Sequence, residues 1–116
     1  MRLIPITLTL MLFAVSSMAV EMPDLAKKHG CTTCHATDHM VIGPAWQDVA
    51  LKYKHQTTFV YSEESYPLED GLVRKVSFDG KGNWGASLMP PNDPDELQQD
   101  EIRQLVRSIL KLTDMP

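Results

Sequence analysis

Little in this 116-residue chain could build a large, cross-linked or membrane-spanning protein. It has two cysteines, which allow at most one disulfide. There is no second Cys pair, nor further Cys or His at suitable spacing, to complete a four-ligand zinc site. The formal charge is −4, and the 11 Lys and Arg residues form no basic stripe, which excludes a nucleic-acid binder. The mildly acidic balance favours solubility and basic partner surfaces without naming a partner. No repeat, low-complexity tract or strand–helix alternation is visible. No apolar run reaches the roughly 20 residues that cross a bilayer.

The longest such run, Leu3 to Val15, has another use. Arg2 supplies a positive start, and Ser17-Met18-Ala19 is a small-x-small cleavage site. The pattern is that of a secretory signal peptide. Residues 1–19 are expected to be removed, leaving 20–116 as one small exported domain with no membrane span. So short a chain buries limited surface and makes a marginal core by itself.

The two cysteines sit in Cys31-Thr32-Thr33-Cys34-His35, a C-x-x-C-H motif. This spacing reads as a covalent attachment site for c-type haem. Two thiols three positions apart on a helical turn can each form a thioether to the vinyl groups on one edge of a porphyrin. The adjacent imidazole then reaches the iron. A Cys31–Cys34 disulfide is the plainer alternative in an oxidising compartment. A thioredoxin-like use of C-x-x-C would need a βαβ context that the sequence lacks. Covalent haem is attached outside the cytoplasmic membrane, which agrees with the leader and points to the periplasm.

The rest reads as short helices. Pro23 to His29 starts with Pro and Asp24, which suit a first turn. A second helix runs from Pro44 to Lys54, with Ala45, Trp46, Val49, Ala50 and Tyr53 on one face. His55 to Tyr66 includes a strand-like Thr57–Tyr61, but no partner strand is evident, and an extended loop is expected. A third helix covers Pro67 to Ser77, weakened by Gly71 at about 1 kcal/mol relative to Ala. Asp79 to Asn83 reads as a flexible turn. Asp93 is the expected N-cap of the last helix, with Glu96 completing a capping-box spacing. Its stripe is Ile102, Leu105, Val106, Ile109 and Leu110. The fold class is all-α: about four short helices wrapped around one haem.

His35 leaves one face of the iron to be closed. A methionine sulfur there raises the reduction potential, whereas an open face invites ligands or catalysis. Met89 is the expected second ligand, because Pro90 and Pro91 stiffen its loop and the chain between His35 and Met89 is long enough to round the ring. Met40 is too near His35, and Met22 and Met115 lie near the ends. His29, His39 and His55 are expected at the surface or in loops.

These motifs resemble the class I c-type cytochromes, within them the small bacterial cytochrome c551/c552 group. The likeness rests on Leu25 to His35, on Ile42-Gly43-Pro44-Ala45 with Val49, Ala50 and Tyr53, on Trp84-Gly85 through Met89-Pro90-Pro91-Asn92, and on the last helix. It implies a cytochrome c fold and one covalent haem c held by Cys31, Cys34, His35 and Met89, with His35 and Met89 as the metal ligands. It further implies that the Pro44 carbonyl accepts from His35 Nδ1, that Trp84 packs at the haem edge near a propionate, and that Gly30 lets the first and last helices cross closely. One departure is the segment from His55 to Phe78, longer, more aromatic and more acidic than in compact members.

The implied function is a soluble periplasmic one-electron carrier, not an enzyme, that docks transiently with redox proteins at an exposed haem edge. A haem c subunit in stable complex with a periplasmic dehydrogenase or oxidase is the alternative. An open haem serving catalysis or gas sensing is a third.

Overall fold

The computed structural model describes residues 11–13 and 22–114. But for 11–13, the expected leader and its cleavage site lie outside these residues, as does Met115. Among the described residues no helix is long and apolar enough to cross a membrane.

Among the described residues four α-helices form the frame: α1 (Met22–Lys28), α2 (Trp46–Tyr53), α3 (Leu68–Phe78) and α4 (Gln99–Leu110). A single 3-10 turn, Cys31–Thr33, follows α1, and another, Lys111–Asp114, extends α4. Helix α4 carries the strongest apolar stripe and packs against α1, α2 and α3. Its Ile102, Leu105 and Val106 meet Leu25 and Ala26 of α1, Trp46 and Tyr53 of α2, and Leu72 and Val73 of α3 in one core. The all-α architecture is therefore as the helical periodicities indicate.

Two antiparallel hairpins are added to it, where an extended loop and a flexible turn were expected. Strands β1 (Thr58–Tyr61) and β2 (Glu64–Pro67) pair with Phe59 opposite Tyr66. Strands β3 (Gly80–Gly82) and β4 (Gly85–Met89) pair with Gly80 opposite Met89. The first hairpin is held to α3 by Phe59, which is buried. Gly71, unfavourable for the helix in isolation, makes this possible: a Cβ there would stand 2.7 Å from Phe59 Cβ. Gly71→Ala is therefore expected to destabilise the protein by about 1–2 kcal/mol. Overpacking of roughly 1–3 kcal/mol exceeds the gain in helix propensity of at most ~1 kcal/mol. Thermal melting by circular dichroism checks this; a raised midpoint would show that Phe59 moves aside freely.

Three further expectations are corrected. Asp93 does not cap α4, which begins at Gln99. It is buried and accepts from the amides of Leu97 and Gln98 and from Gln99 Nε2. Glu96 has φ +57°, so the intervening residues turn and cannot be helical. Gly30 is exposed and a Cβ there would meet nothing within 4 Å. Its φ of +72° accounts for the glycine, and the close approach to α4 falls instead on Ala26, which is fully buried. His29 is not a surface residue: its side chain is 5% exposed and its Nε2 lies 2.6 Å from Glu101 Oε2.

Helices α3 and α4 are also joined by charge. Arg103 donates to Glu69 and Asp70, each at 2.7 Å, and Arg107 Nε donates to Glu69 at 2.9 Å. The guanidinium of Arg107, then that of Arg103, holds the Glu69 carboxyl below the usual carboxylate range. A carboxyl lowered in the folded state stabilises above its unfolded pKa, about 4.3, and loses that contribution as pH falls through the folded value. For so exposed a network this amounts to about 1 kcal/mol or less. Glu69→Gln is expected to flatten the acid limb of a stability–pH profile by that amount, and an unchanged slope would show that the network contributes nothing.

Candidate functional site: an apolar cleft around the C-x-x-C-H motif

The helical turn at Cys31–Thr33 brings His35 N to the Cys31 carbonyl at 2.9 Å, so the motif is a compact turn. The two sulfurs are not joined, and each cysteine is half-buried. Burial is the main cause that pushes the Cys31 thiol up, with Cys34 adding to it and a backbone hydrogen bond opposing. Downstream, the amides of Ile42 and Gly43 both donate to the Cys34 carbonyl, at 3.2 and 2.8 Å. These bonds fold the loop that precedes α2 back over the motif.

That loop seats the imidazole. His35 Nδ1 donates to the Pro44 carbonyl at 2.8 Å, which fixes the tautomer, and Nε2 has no protein hydrogen-bond partner among the described residues. His35 also stacks on Trp46, the first residue of α2, with ring centroids 5.7 Å apart. His35, Cys34 and Met89 line one cleft of about 260 Å³. Its walls come from α2, α3 and the β3–β4 hairpin, with Val49, Leu72, Val76 and Leu88 among the apolar lining. Among the described residues no Asp or Glu lines it; Lys75 and Lys81 do.

Met89 ends β4 and is half-buried. Its sulfur accepts a weak bond from the Lys75 ammonium at 3.8 Å. Burial, then the charge of Lys52, pushes the Lys75 ammonium down. Trp84 lines the cleft at its rim, 36% exposed, with the Lys52 ammonium 4.5 Å over its ring. Lys52 also donates to the Asn83 carbonyl, tying α2 to the turn between β3 and β4. Met40 pairs through its backbone with His35 and lines the same cleft, but is 71% exposed. His39 and His55 are exposed. All six residues singled out from the sequence thus belong to one region. Five of them line the cleft, and Cys31 packs against the core beside it.

Two contributors escaped the sequence reading. Tyr53 and Trp46 read there only as the apolar face of α2. In the structure the buried Tyr53 hydroxyl has no partner among the described residues. Burial pushes its phenol up, offset in part by the nearby Trp84 indole. A tyrosine on an otherwise apolar face was the available signal, because a buried phenol usually finds an acceptor.

The chain is 41% identical over 88 residues to cytochrome c-551 of Allochromatium vinosum, spanning 76% of this chain and 82% of that one. It is 34% identical over 85 residues to cytochrome c-552 of Hydrogenobacter thermophilus, spanning 73% and 78%. The crystal structure of wild-type Nitrosomonas europaea cytochrome c552 superposes with a TM-score of 0.64 at 32% identity, covering 78% of this chain and 98% of that one. No protein-family model matches the chain. The chain belongs to the class I cytochromes c, in the cytochrome c-551/c-552 group. Membership implies covalent haem c and electron transfer. The residues present fit such a group: an apolar cleft beside two unjoined thiols, a ring nitrogen with no protein partner, and an orphaned buried hydroxyl on the cleft wall.

Proposed function

We propose that this protein is an exported, periplasmic one-electron carrier with one haem c, bound through Cys31 and Cys34 and ligated by His35 and Met89. The observation that carries the reading is that His35, its Nδ1 already engaged by Pro44, shares one apolar cleft with Met89. Once bound, haem iron cycles between ferric and ferrous and so stores one electron. The chain's own residues do the rest. Pro44 orients the imidazole and raises its basicity by accepting the Nδ1 proton. Pro90 and Pro91 hold the Met89 sulfur on a stiff segment. Val49, Leu72 and Val76 keep water from the cleft, so a change of iron charge meets little solvent reorganisation. Were His35 and Met89 both to hold the iron, no position would be left for a substrate, which supports a carrier and not an enzyme. Trp84, Lys75 and Lys81 line the cleft and would offer hydrogen-bond donors to haem propionates.

Transient docking is supported by the exposed apolar rim. Met40, Val41, Ile42 and Leu88 are all exposed beside the cleft. Such a patch suits a small, short-lived interface. The deciding experiment is an oxidised and a reduced spectrum of the purified native protein, with its elution volume. A low-spin haem c spectrum with the Met–iron band, on a monomer, is expected. Absence of that band would remove Met89 from the iron, and co-elution with a catalytic chain at fixed stoichiometry would favour the subunit reading.

A further inference from the structure

We infer that Gly43 and Trp46 together fix the rotation of the His35 imidazole, acting as positioning residues for the iron ligand. The inference rests on the proposed ligation by His35. The hydrogen bond from Nδ1 to the Pro44 carbonyl, 2.8 Å long, anchors one atom of the ring but leaves it free to swing about that anchor. Two further contacts remove the freedom. A Cβ built on Gly43 would lie 2.6 Å from His35 Cε1 and 3.0 Å from each ring nitrogen. The Gly43 backbone therefore lies against the N–C–N side of the imidazole, so closely that no side chain fits between. Trp46 lies nearly parallel to the imidazole, the two planes 16° apart. The indole cannot readily withdraw: Trp46 is 5% exposed, and its amide donates to the Ala36 carbonyl at 3.0 Å.

The three constraints come from four successive residues, Gly43 to Trp46, held to the motif by the Gly43–Cys34 backbone bond. Neither α2 periodicity nor core packing requires this arrangement. Helical periodicity asks only for an apolar residue at 46, and an ordinary loop tolerates a larger residue at 43. The stack also has an electrostatic consequence. An electron-rich indole face beside the imidazole favours the state in which that ring is poorer in electrons, which is the ferric state.

The test uses the holoprotein with Trp46→Leu, Trp46→Phe and Gly43→Ala. Its readouts are the ferric electron paramagnetic resonance g values and the haem methyl hyperfine shifts, both of which follow the plane of an axial imidazole. Trp46→Leu is expected to shift the g values, reorder the methyl resonances and raise the reduction potential. Trp46→Phe, which keeps a stacked ring, retains the wild-type pattern. Gly43→Ala shifts the pattern as Trp46→Leu does; should it fail to incorporate haem, the two Trp46 variants decide. Unchanged g values and methyl shifts in Trp46→Leu, whatever its melting temperature, overturn the clamp and leave Trp46 a packing residue. A wild-type protein with no covalent haem would instead overturn the proposed function, and the clamp with it.

Discussion

Met89→Ala is expected to lower the reduction potential by on the order of 0.2 V, part of the roughly 0.8 V that axial ligands span. A thioether is a weak donor that favours ferrous iron, and its loss leaves water or an added ligand in its place. Carbon monoxide should then bind the reduced protein at neutral pH, which the wild type should resist. The position gives little room for rescue. Met89 is the last residue of β4, paired with Gly80, and Pro90 and Pro91 follow it at once. Met40 is the other methionine lining the cleft, but its backbone is bridged to that of His35. It therefore cannot travel far from the side of the ring that His35 occupies. Voltammetry and the Met–iron absorption band give the measurement. An unchanged potential with an unchanged band would sink the assignment of Met89.

The second large effect is expected from Cys31→Ala combined with Cys34→Ala. Haem should no longer stay with the polypeptide on denaturing electrophoresis, and the protein should lose its cooperative melt. The cleft explains why the two losses go together. About 260 Å³ of largely apolar wall has no side chains to fill it, in a chain whose remaining core is small. The attachment chemistry adds an S–H across a vinyl group, so the thiol must stay reduced beforehand. A double variant that melts cooperatively without haem would show that the polypeptide folds on its own.

What could be read from the sequence is what chemistry fixes in one dimension. Two thioethers and an adjacent imidazole need C-x-x-C-H, a stiff sulfur needs its prolines, and the stripe of α4 repeats every three or four residues. The rest depended on contacts between distant residues. The β1–β2 hairpin is turned by Ser62 and Glu63, with φ +49° and +69°, and lacks the Asn-Gly or Asp-Gly pair that announces such a turn. Its second strand, Glu64–Pro67, is polar enough to read as loop. Gly71 looked like a flaw in a helix until Phe59 was seen against it. Asp93 has the composition of an N-cap, but its acceptors serve a turn that Glu96 bends away from helix. His29 carries no sequence sign that Glu101 of α4 would cover it.

The amides of Asn92 and Asp93 donate to the carbonyls of Val76 and Ser77 at the end of α3. Gln99 Nε2 then joins the Ser77 hydroxyl to the Asp93 carboxylate, at 2.8 and 2.7 Å. The strand bearing Met89 is thus a closed circuit, stitched to one helix at its departure and again at its return. The tip of the first hairpin, Ser62 and Glu63, lies outside that circuit, whereas Phe59 at its base is packed on α3. Evolution can lengthen or redecorate that tip to suit a new docking face while the sulfur keeps its address.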